Sequence, residues 1–325
     1  MENQLTVGGL KVVFPTEAGI VRAVEGIDLD VGRRECVAIV GESGCGKSVT
    51  SLAIMRLLGS PPALVDADAL MFGGRELTAL SDKELQDIRG KEMSIIFQDA
   101  MTALNPVAPI GRQIDEVYLR HTNLSKREAK AHTIHALRLV GVPSPERRYN
   151  DYPHQLSGGM RQRVLIAMAF ACDPKLIIAD EPTTALDVTI QAQVLDLIKN
   201  MQRGHGTSLI LITHDLSVVA QMADTVYVMY SGKIVEKAPM RALFDNPLHP
   251  YTRGLLALVP RMSQKEGERL EQIPLQVPDP MEKPDGCYFH PRCKLATDIC
   301  RERMPRLEDV GADRQVRCYH KEKPL

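Results

Sequence analysis

The chain has 325 residues, 44% apolar and 25% charged, with a net charge of −1. This is the make-up of a globular protein of about two domains, and it excludes an overall basic field for nucleic acid. Tryptophan is absent and aromatics make up only 4%, which removes most stacking platforms for single strands. No run of about 18 apolar residues is present to span a bilayer, and the opening MENQLTVGGLKVV has no charged-then-apolar leader pattern. The sequence therefore predicts a chain that stays in the cytosol and reaches a membrane only by docking onto other subunits.

The elements follow in chain order. LKVVF, VRAVEGIDLDV and ECVAIV, within about residues 4–40, read as strands broken by glycine. Gly41-Glu42-Ser43-Gly44-Cys45-Gly46-Lys47-Ser48 comes next. It leads into SVTSLAIMRLLG, which includes Val49, is apolar at helical spacing and is closed by Gly59. Strand, glycine-rich turn and helix together match the phosphate-binding pattern G-x-x-x-x-G-K-[ST]. Glycines let backbone N–H groups converge on phosphate oxygens, and the helix N-terminus adds partial positive charge. Lys47 is placed to reach the β- and γ-phosphates and Ser48 to ligate Mg²⁺. Cys45 reads as a spacer, and an exposed thiol there is open to alkylation.

Residues 99–165 carry helical patterns such as SKREAKAHTIHALRLVGV and read as a helical subdomain inserted into an α/β core. The core resumes with KLIIAD, an apolar strand ending in Asp180 and Glu181. Asp180 suits Mg²⁺, directly or through water, and Glu181 suits orienting or deprotonating an attacking water. Helix VTIQAQVLDLIKNMQR, strand SLILIT, helix LSVVAQMA, strand TVYVMY, a turn at Ser231–Lys233 and strand IVEKA follow. The alternation predicts a mostly parallel sheet with helices on its faces. Beyond about residue 262 the chain turns charged and proline-rich, as in a linker or extended arm, and a cysteine-rich tail follows.

One segment decides the class. His154-Gln155-Leu156-Ser157-Gly158-Gly159-Met160-Arg161-Gln162-Arg163 sets a serine and two glycines at a helix start, a second phosphate cradle. It resembles the LSGGQ-type signature of ABC ATPases, with Met160 in the final place. Further resemblances fall in the family's order over about residues 5–240. Phe97-Gln98-Asp99 looks like the Q-loop, Ala185-Leu186-Asp187 like the D-loop, and Ile212-Thr213-His214-Asp215 like the switch loop. Ala100 stands where relatives often carry proline, which touches the rigidity of the Q-loop and not its chemistry.

The resemblance implies a P-loop NTPase of the ABC type over residues 1–262: a RecA-like core, an antiparallel β-subdomain and the inserted helical subdomain. It implies an ATPase that uses ATP and Mg²⁺. Gln98 senses the metal and the γ-phosphate, and His214 contacts the γ-phosphate and the attacking water. Phe14 is the candidate for stacking on adenine, with a strand core residue as the competing reading. In this family each ATP lies between the phosphate loop of one chain and Ser157, Gly158 and Gly159 of the other, with the D-loop, here Asp187, crossing between them. Repair ATPases place a long coiled coil between the two motifs, and translation factors join two cassettes in one chain. Neither pattern is present here.

The stretch from Asn246 through Pro247-Leu248-His249-Pro250-Tyr251-Thr252 to Leu256, and GCYFHPRC after it, resemble the C-terminal extension of dipeptide and oligopeptide importer ATPases. Importers of nickel and of glutathione share it. The resemblance implies a second, usually different, ATPase chain, two transmembrane permeases and an extracytoplasmic solute-binding protein, with this chain at the cytoplasmic face of the inner membrane. Residues 263–325 form the extension. Its Cys287, Cys293, Cys300 and Cys318 follow the spacing C-x5-C-x6-C-x17-C. Zinc sites favour tight C-x2-C pairs, and four loosely spaced thiolates suit a [4Fe–4S] cluster as well or better. Zn²⁺ and free thiols are the alternatives. A metal is expected to supply folding energy that a short charged tail lacks.

Overall fold

A computed structural model describes residues 3–184, 186–258, 274 and 276–321. The chain divides into two compact units. One comprises residues 1–4, 31–35 and 72–212, and the other residues 5–30, 36–71 and 213–325. No described helix is long and apolar enough to cross a membrane.

The first unit holds three parallel strands, Met93–Ile96, Leu176–Asp180 and Ser208–Thr213. Met93 pairs with Leu176, and Asp180 with Ile212. Leu176, Ile177, Ile178 and Ala179 are completely buried, as the unbroken apolar run requires of a strand covered on both faces. Helices Ile110–His121 and Lys126–Leu139 form the expected helical region together with Gly158–Phe170. Ser125 starts the second of these with a capping box closed by Glu128. Buried Asp115 ties this region together, accepting from Thr133 Oγ1 at 2.6 Å and Tyr149 Oη at 2.5 Å. The longest helix, Val188–His205, ends at Gly206 in the left-handed conformation.

The second unit begins with the long strands Asn3–Thr16 and Gly19–Gly32. Strand Leu64–Asp66 pairs antiparallel with the first, Lys11 opposite Asp66. A second group of strands in this unit is mixed. Cys36–Val40 runs parallel to Thr225–Tyr230, which pairs antiparallel with Lys233–Pro239. Ser231 and Gly232 make the turn with φ of 44° and 83°, the two positive values a two-residue hairpin of matching twist requires.

The helix after the phosphate loop is shorter than its apolar pattern predicts. It spans Lys47–Ile54 and is closed by Arg56, not Gly59. Arg56 takes φ of 51°, and the N–H groups of Arg56 and Leu57 donate to Ala53 O and Leu52 O. These are the two bonds of a Schellman cap, a place more often held by glycine.

The tail also departs from expectation. Strands Glu308–Gly311 and Arg314–Val316 extend the second unit, Val316 pairing with Glu236. Phe289 and Val316 are buried, and Phe289 packs in the same apolar core as Tyr230, Leu243 and Tyr251. The tail thus buries apolar side chains in the core of the second unit. Residues 259–273 and 275, most of the expected linker, lie outside the described residues. Lys283, at its far end, is anchored. Its Nζ donates to Arg22 O, Ser231 O and Glu25 Oε1 at 2.5–2.9 Å.

His249 carries a pH signature. It is buried, its Nδ1 accepts from Tyr251 N–H at 3.0 Å, and its own N–H donates to the buried Glu236. Burial, followed by the charges of Arg253 and Arg317, pushes its pKa down to about 3. The unfolded chain takes up this proton near pH 6.5, so stability is fully present above that value and is lost as pH falls toward 3. His249→Asn retains a cap acceptor without the titration. Denaturant unfolding of the full chain across this range is expected to show wild type losing up to about 1.4 kcal/mol per pH unit more than the variant. Parallel slopes would contradict the assignment.

Candidate functional site

The phosphate loop leaves the end of strand Cys36–Val40, in the second unit. A Cβ at Gly41 would lie 2.2 Å from Met229 O, and one at Gly46 would lie 2.5 Å from Ala23 O. Only glycine fits either place, and Gly46 also takes φ of 109°. Gly44 takes φ of 78° with open space beside it, and Ser43 is exposed. Lys47 opens the helix and folds back over the loop, its Nζ donating to Gly41 O at 2.8 Å and Glu42 O at 3.0 Å. Ser48 and Val49 are half-buried in the first turn. The Cys45 thiol is buried, and burial raises its pKa. A buried thiol there suits a spacer residue and is not open to alkylation.

Two groups that the sequence reading left without a role grip this loop. The Glu42 N–H donates to Tyr251 Oη at 2.8 Å. The Glu42 carboxylate receives both terminal nitrogens of Arg292, at 2.7 and 2.9 Å. Both residues lie inside the segments that resemble the importer extension, NPLHPYT and GCYFHPRC. The signal was present, without a hint of its target.

The acidic end of the chemistry belongs to the first unit. Asp180 closes its strand with 6% exposure. Glu181 follows in the left-handed conformation, φ 44°, a strain of about 1–3 kcal/mol of the kind held at functional sites. Its N–H donates to Ile212 O at 2.9 Å. Its Oε2 accepts from Gln98 Nε2 at 3.0 Å and from Thr184 Oγ1 at 2.9 Å. The structure therefore brings Gln98 and Glu181 together and adds Thr184, which the sequence did not suggest. Asp99 caps the short helix Ala100–Ala103 by accepting from Met101 N–H at 2.7 Å, so alanine serves where relatives often carry proline.

The signature residues form a helix start in the same unit. Ser157 is the N-cap of Gly158–Phe170, and Ser157 and Gly158 are exposed. A Cβ at Gly159 would meet Ile190 at 2.9 Å, which is why glycine lets this helix pack on Val188–His205. Asp187 caps the latter, accepting from Ile190 N–H at 3.0 Å. Ala185, the first residue of the D-loop resemblance, lies outside the described residues. In the second unit, His214 is exposed just past the strand end at Thr213, and Phe14 is half-buried near the end of its strand.

The four tail cysteines come together. Cys287, Cys293, Cys300 and Cys318 line one pocket, with His249 and His290 among its walls. None of the seven cysteines is in a disulfide. Burial pushes Cys287 up to about 12 and Cys318 up to about 11, and raises Cys293 as well. Cys318 Sγ accepts from His320 N–H at 3.3 Å, and Cys300 Sγ lies 3.6 Å from Thr297 Oγ1. Among the described residues no group of three or more histidine, cysteine or acidic side chains is disposed to hold a metal ion. The metal centre expected from the cysteine spacing is thus represented among the described residues by a shared pocket and not by a formed ligand set.

Comparison with known proteins gathers these features. Residues 24–184 match the ABC transporter family, and residues 235–300 match the oligopeptide/dipeptide transporter C-terminal region. The dipeptide transport ATP-binding protein DppD of Bacillus subtilis (strain 168) is 50% identical over 319 residues, covering 98% of this chain and 95% of the relative. The oligopeptide transport ATP-binding protein OppD of the same organism is 49% identical over 315 residues, covering 97% and 88%. Among solved structures, the ATP-binding cassette MJ0796, dimeric in a post-hydrolysis state with ADP and Pi, is 25% identical with a TM-score of 0.65. It covers 73% of this chain and 99% of that one. CbiO1 from Clostridium perfringens, part of the cbiONQ ABC transporter complex, is 26% identical with a TM-score of 0.62, covering 75% and 92%. With a phosphate loop, a strand-end acid pair, a signature helix start and the importer extension in one chain, the protein belongs to the ABC transporter family of ATPases, in its oligopeptide and dipeptide branch.

Proposed function

We propose that the chain is the ATP-hydrolysing subunit that powers import of di- or oligopeptides through an ABC transporter. Gly41 to Val49 cradle the triphosphate, with Lys47 on the β- and γ-phosphates. Ser48, Gln98 and Asp180 serve the Mg²⁺ ion. Glu181 orients and deprotonates the attacking water, and His214 contacts the γ-phosphate. Phe14 stacks on the adenine. Ser157, Gly158, Gly159 and Asp187 act on the nucleotide of a partner chain, so that two chains close head to tail around two ATP molecules. Residues 1–262 carry the hydrolytic work, residues 99–165 within them its helical subdomain, and residues 263–325 the extension.

The observation that carries this reading is the held carboxylate of Glu181. A strained backbone and two hydrogen bonds, from Gln98 and Thr184, aim one acid at the end of a buried strand. Such pre-set geometry supports a general base. The peptide substrate, in preference to nickel or glutathione, is supported by relatives named for dipeptide and oligopeptide transport. Two permeases dock beside the Q-loop, a reading supported by the exposed apolar side chains of Phe97, Met101 and Val107. A second ATPase subunit, usually of a different sequence in such importers, joins this chain at the cytoplasmic face of the membrane, and an extracytoplasmic solute-binding protein completes the assembly.

In the tail, the four thiols around one pocket support a [4Fe–4S] site, with zinc as the second reading. When bound, a cluster supplies iron–thiolate cross-links between the tail segments. The chain's own part is to hold Cys287, Cys293, Cys300 and Cys318 at one pocket and to release their protons on ligation.

Two measurements check these readings. In the assembled transporter, Glu181→Gln is expected to lower ATP turnover by about 100-fold or more while nucleotide binding persists. Unchanged turnover would remove Glu181 from the chemistry. Anaerobic purification is expected to yield about four irons and four sulfides per chain, lost in Cys293→Ser. One zinc without sulfide would favour the second reading, and no metal would leave the tail a thiol-lined pocket.

A further inference from the structure

Glu42 is the residue of the phosphate loop whose polar groups are all occupied from outside or across the loop. Its N–H donates to Tyr251 Oη, its C=O accepts from Lys47 Nζ, and its carboxylate takes a two-pronged ion pair from Arg292. The Arg292 side chain is only 2% exposed, and that of Glu42 is 29% exposed. Arg292 is itself fixed on every side. Nε donates to Pro274 O at 2.9 Å, Nη1 reaches Tyr230 Oη at 3.5 Å, and the guanidinium lies over the rings of Tyr230 and Phe289 at 5.8 and 6.0 Å. Those rings and Tyr251 form one cluster, with centroids 4.7–5.4 Å apart. A guanidinium held this way has a fork geometry that lysine cannot reproduce.

The chemistry makes this placement consequential. A loop that receives a triphosphate carries a carboxylate one residue past its first glycine. Left alone, that charge repels the ligand by an amount that grows with phosphate charge. We propose that Arg292, from the C-terminal extension, is a positioning residue of the nucleotide site: it cancels the Glu42 carboxylate and turns it away from the phosphates, so the extension sets how tightly the loop takes ATP. This rests on the reading that residues 41–48 hold ATP.

The test is titration calorimetry of Mg²⁺–ATP and Mg²⁺–ADP into the full chain at low salt. It compares wild type, Arg292→Gln, Glu42→Gln and the double variant, with circular dichroism as the check on folding. Arg292→Gln is expected to weaken ATP about tenfold and ADP less, and the double variant to bind ATP within about threefold of wild type. Glu42→Gln alone leaves the Arg292 charge uncancelled and is expected to tighten ATP more than ADP. Equal affinity in wild type and Arg292→Gln overturns the proposal. So does a double variant as weak as Arg292→Gln, which would reduce the pair to packing. If Arg292→Gln does not fold, Glu42→Gln decides, and ATP affinity that is unchanged or lower overturns the proposal. A wild-type chain that binds no ATP would instead overturn the nucleotide reading itself.

Discussion

The second unit is organised around a backbone approach too close for any side chain. The phosphate loop passes Met229 O and Ala23 O so nearly that a Cβ at Gly41 or Gly46 would sit 2.2 or 2.5 Å from them. Met229 can stand there because the pairing of its strand slips between Val228 and Met229, a local irregularity that bends a strand toward a functional feature. The hairpin that follows completes the bed. Gly232 N–H donates to Cys45 O, and Ser231 O is held by Lys283 from the tail. Loop, hairpin and tail are thus bonded in series, and the position of the loop backbone is set by residues nearly two hundred places away.

The first unit solves a different problem, that of aiming a charge. An apolar strand with four fully buried residues drives its own carboxyl end to a defined place, and the chain breaks there at Glu181 with a left-handed residue. Gln98 and Thr184 then leave the carboxylate little rotational freedom. Burial supplies the rigidity and hydrogen bonding supplies the direction. A similar division of labour recurs in the second unit at Glu236. This wholly buried acid accepts from the N–H groups of Leu248 and His249 and from Arg314. A buried carboxylate without those partners would be costly.

The strands, the loop and the signature helix were legible in the sequence because each is a local pattern. Period-two and unbroken apolar runs specify Cys36–Val40 and Leu176–Asp180, and glycine at Gly41 and Gly46 announces a backbone that no other residue can follow. The stop of the first helix at Arg56 was not legible, because a basic residue in the left-handed region carries no sequence mark and Gly59 offered a more conventional end. Arg292 and Tyr251 were legible as members of motifs but not as partners of Glu42, which lies 250 and 209 residues away. Thr184 sits in a stretch of polar residues that gave no reason to choose it. The four tail cysteines line one pocket, while no metal-holding group is formed among the described residues. The expectation that the tail lacks a core failed because Phe289 and Val316 borrow one from the second unit, which spacing within the tail does not reveal.

On this reading the glycine-rich loop is a phosphate cradle whose charge comes from Lys47. Its most direct test is the thermal unfolding of the full chain with and without saturating Mg²⁺–ATP, for wild type and Lys47→Ala. A ligand that binds only the native state raises the midpoint in proportion to its affinity. A clear upward shift is expected for wild type and its near-complete loss in Lys47→Ala, each measured against the same protein's own nucleotide-free midpoint. An equal shift in both would contradict it.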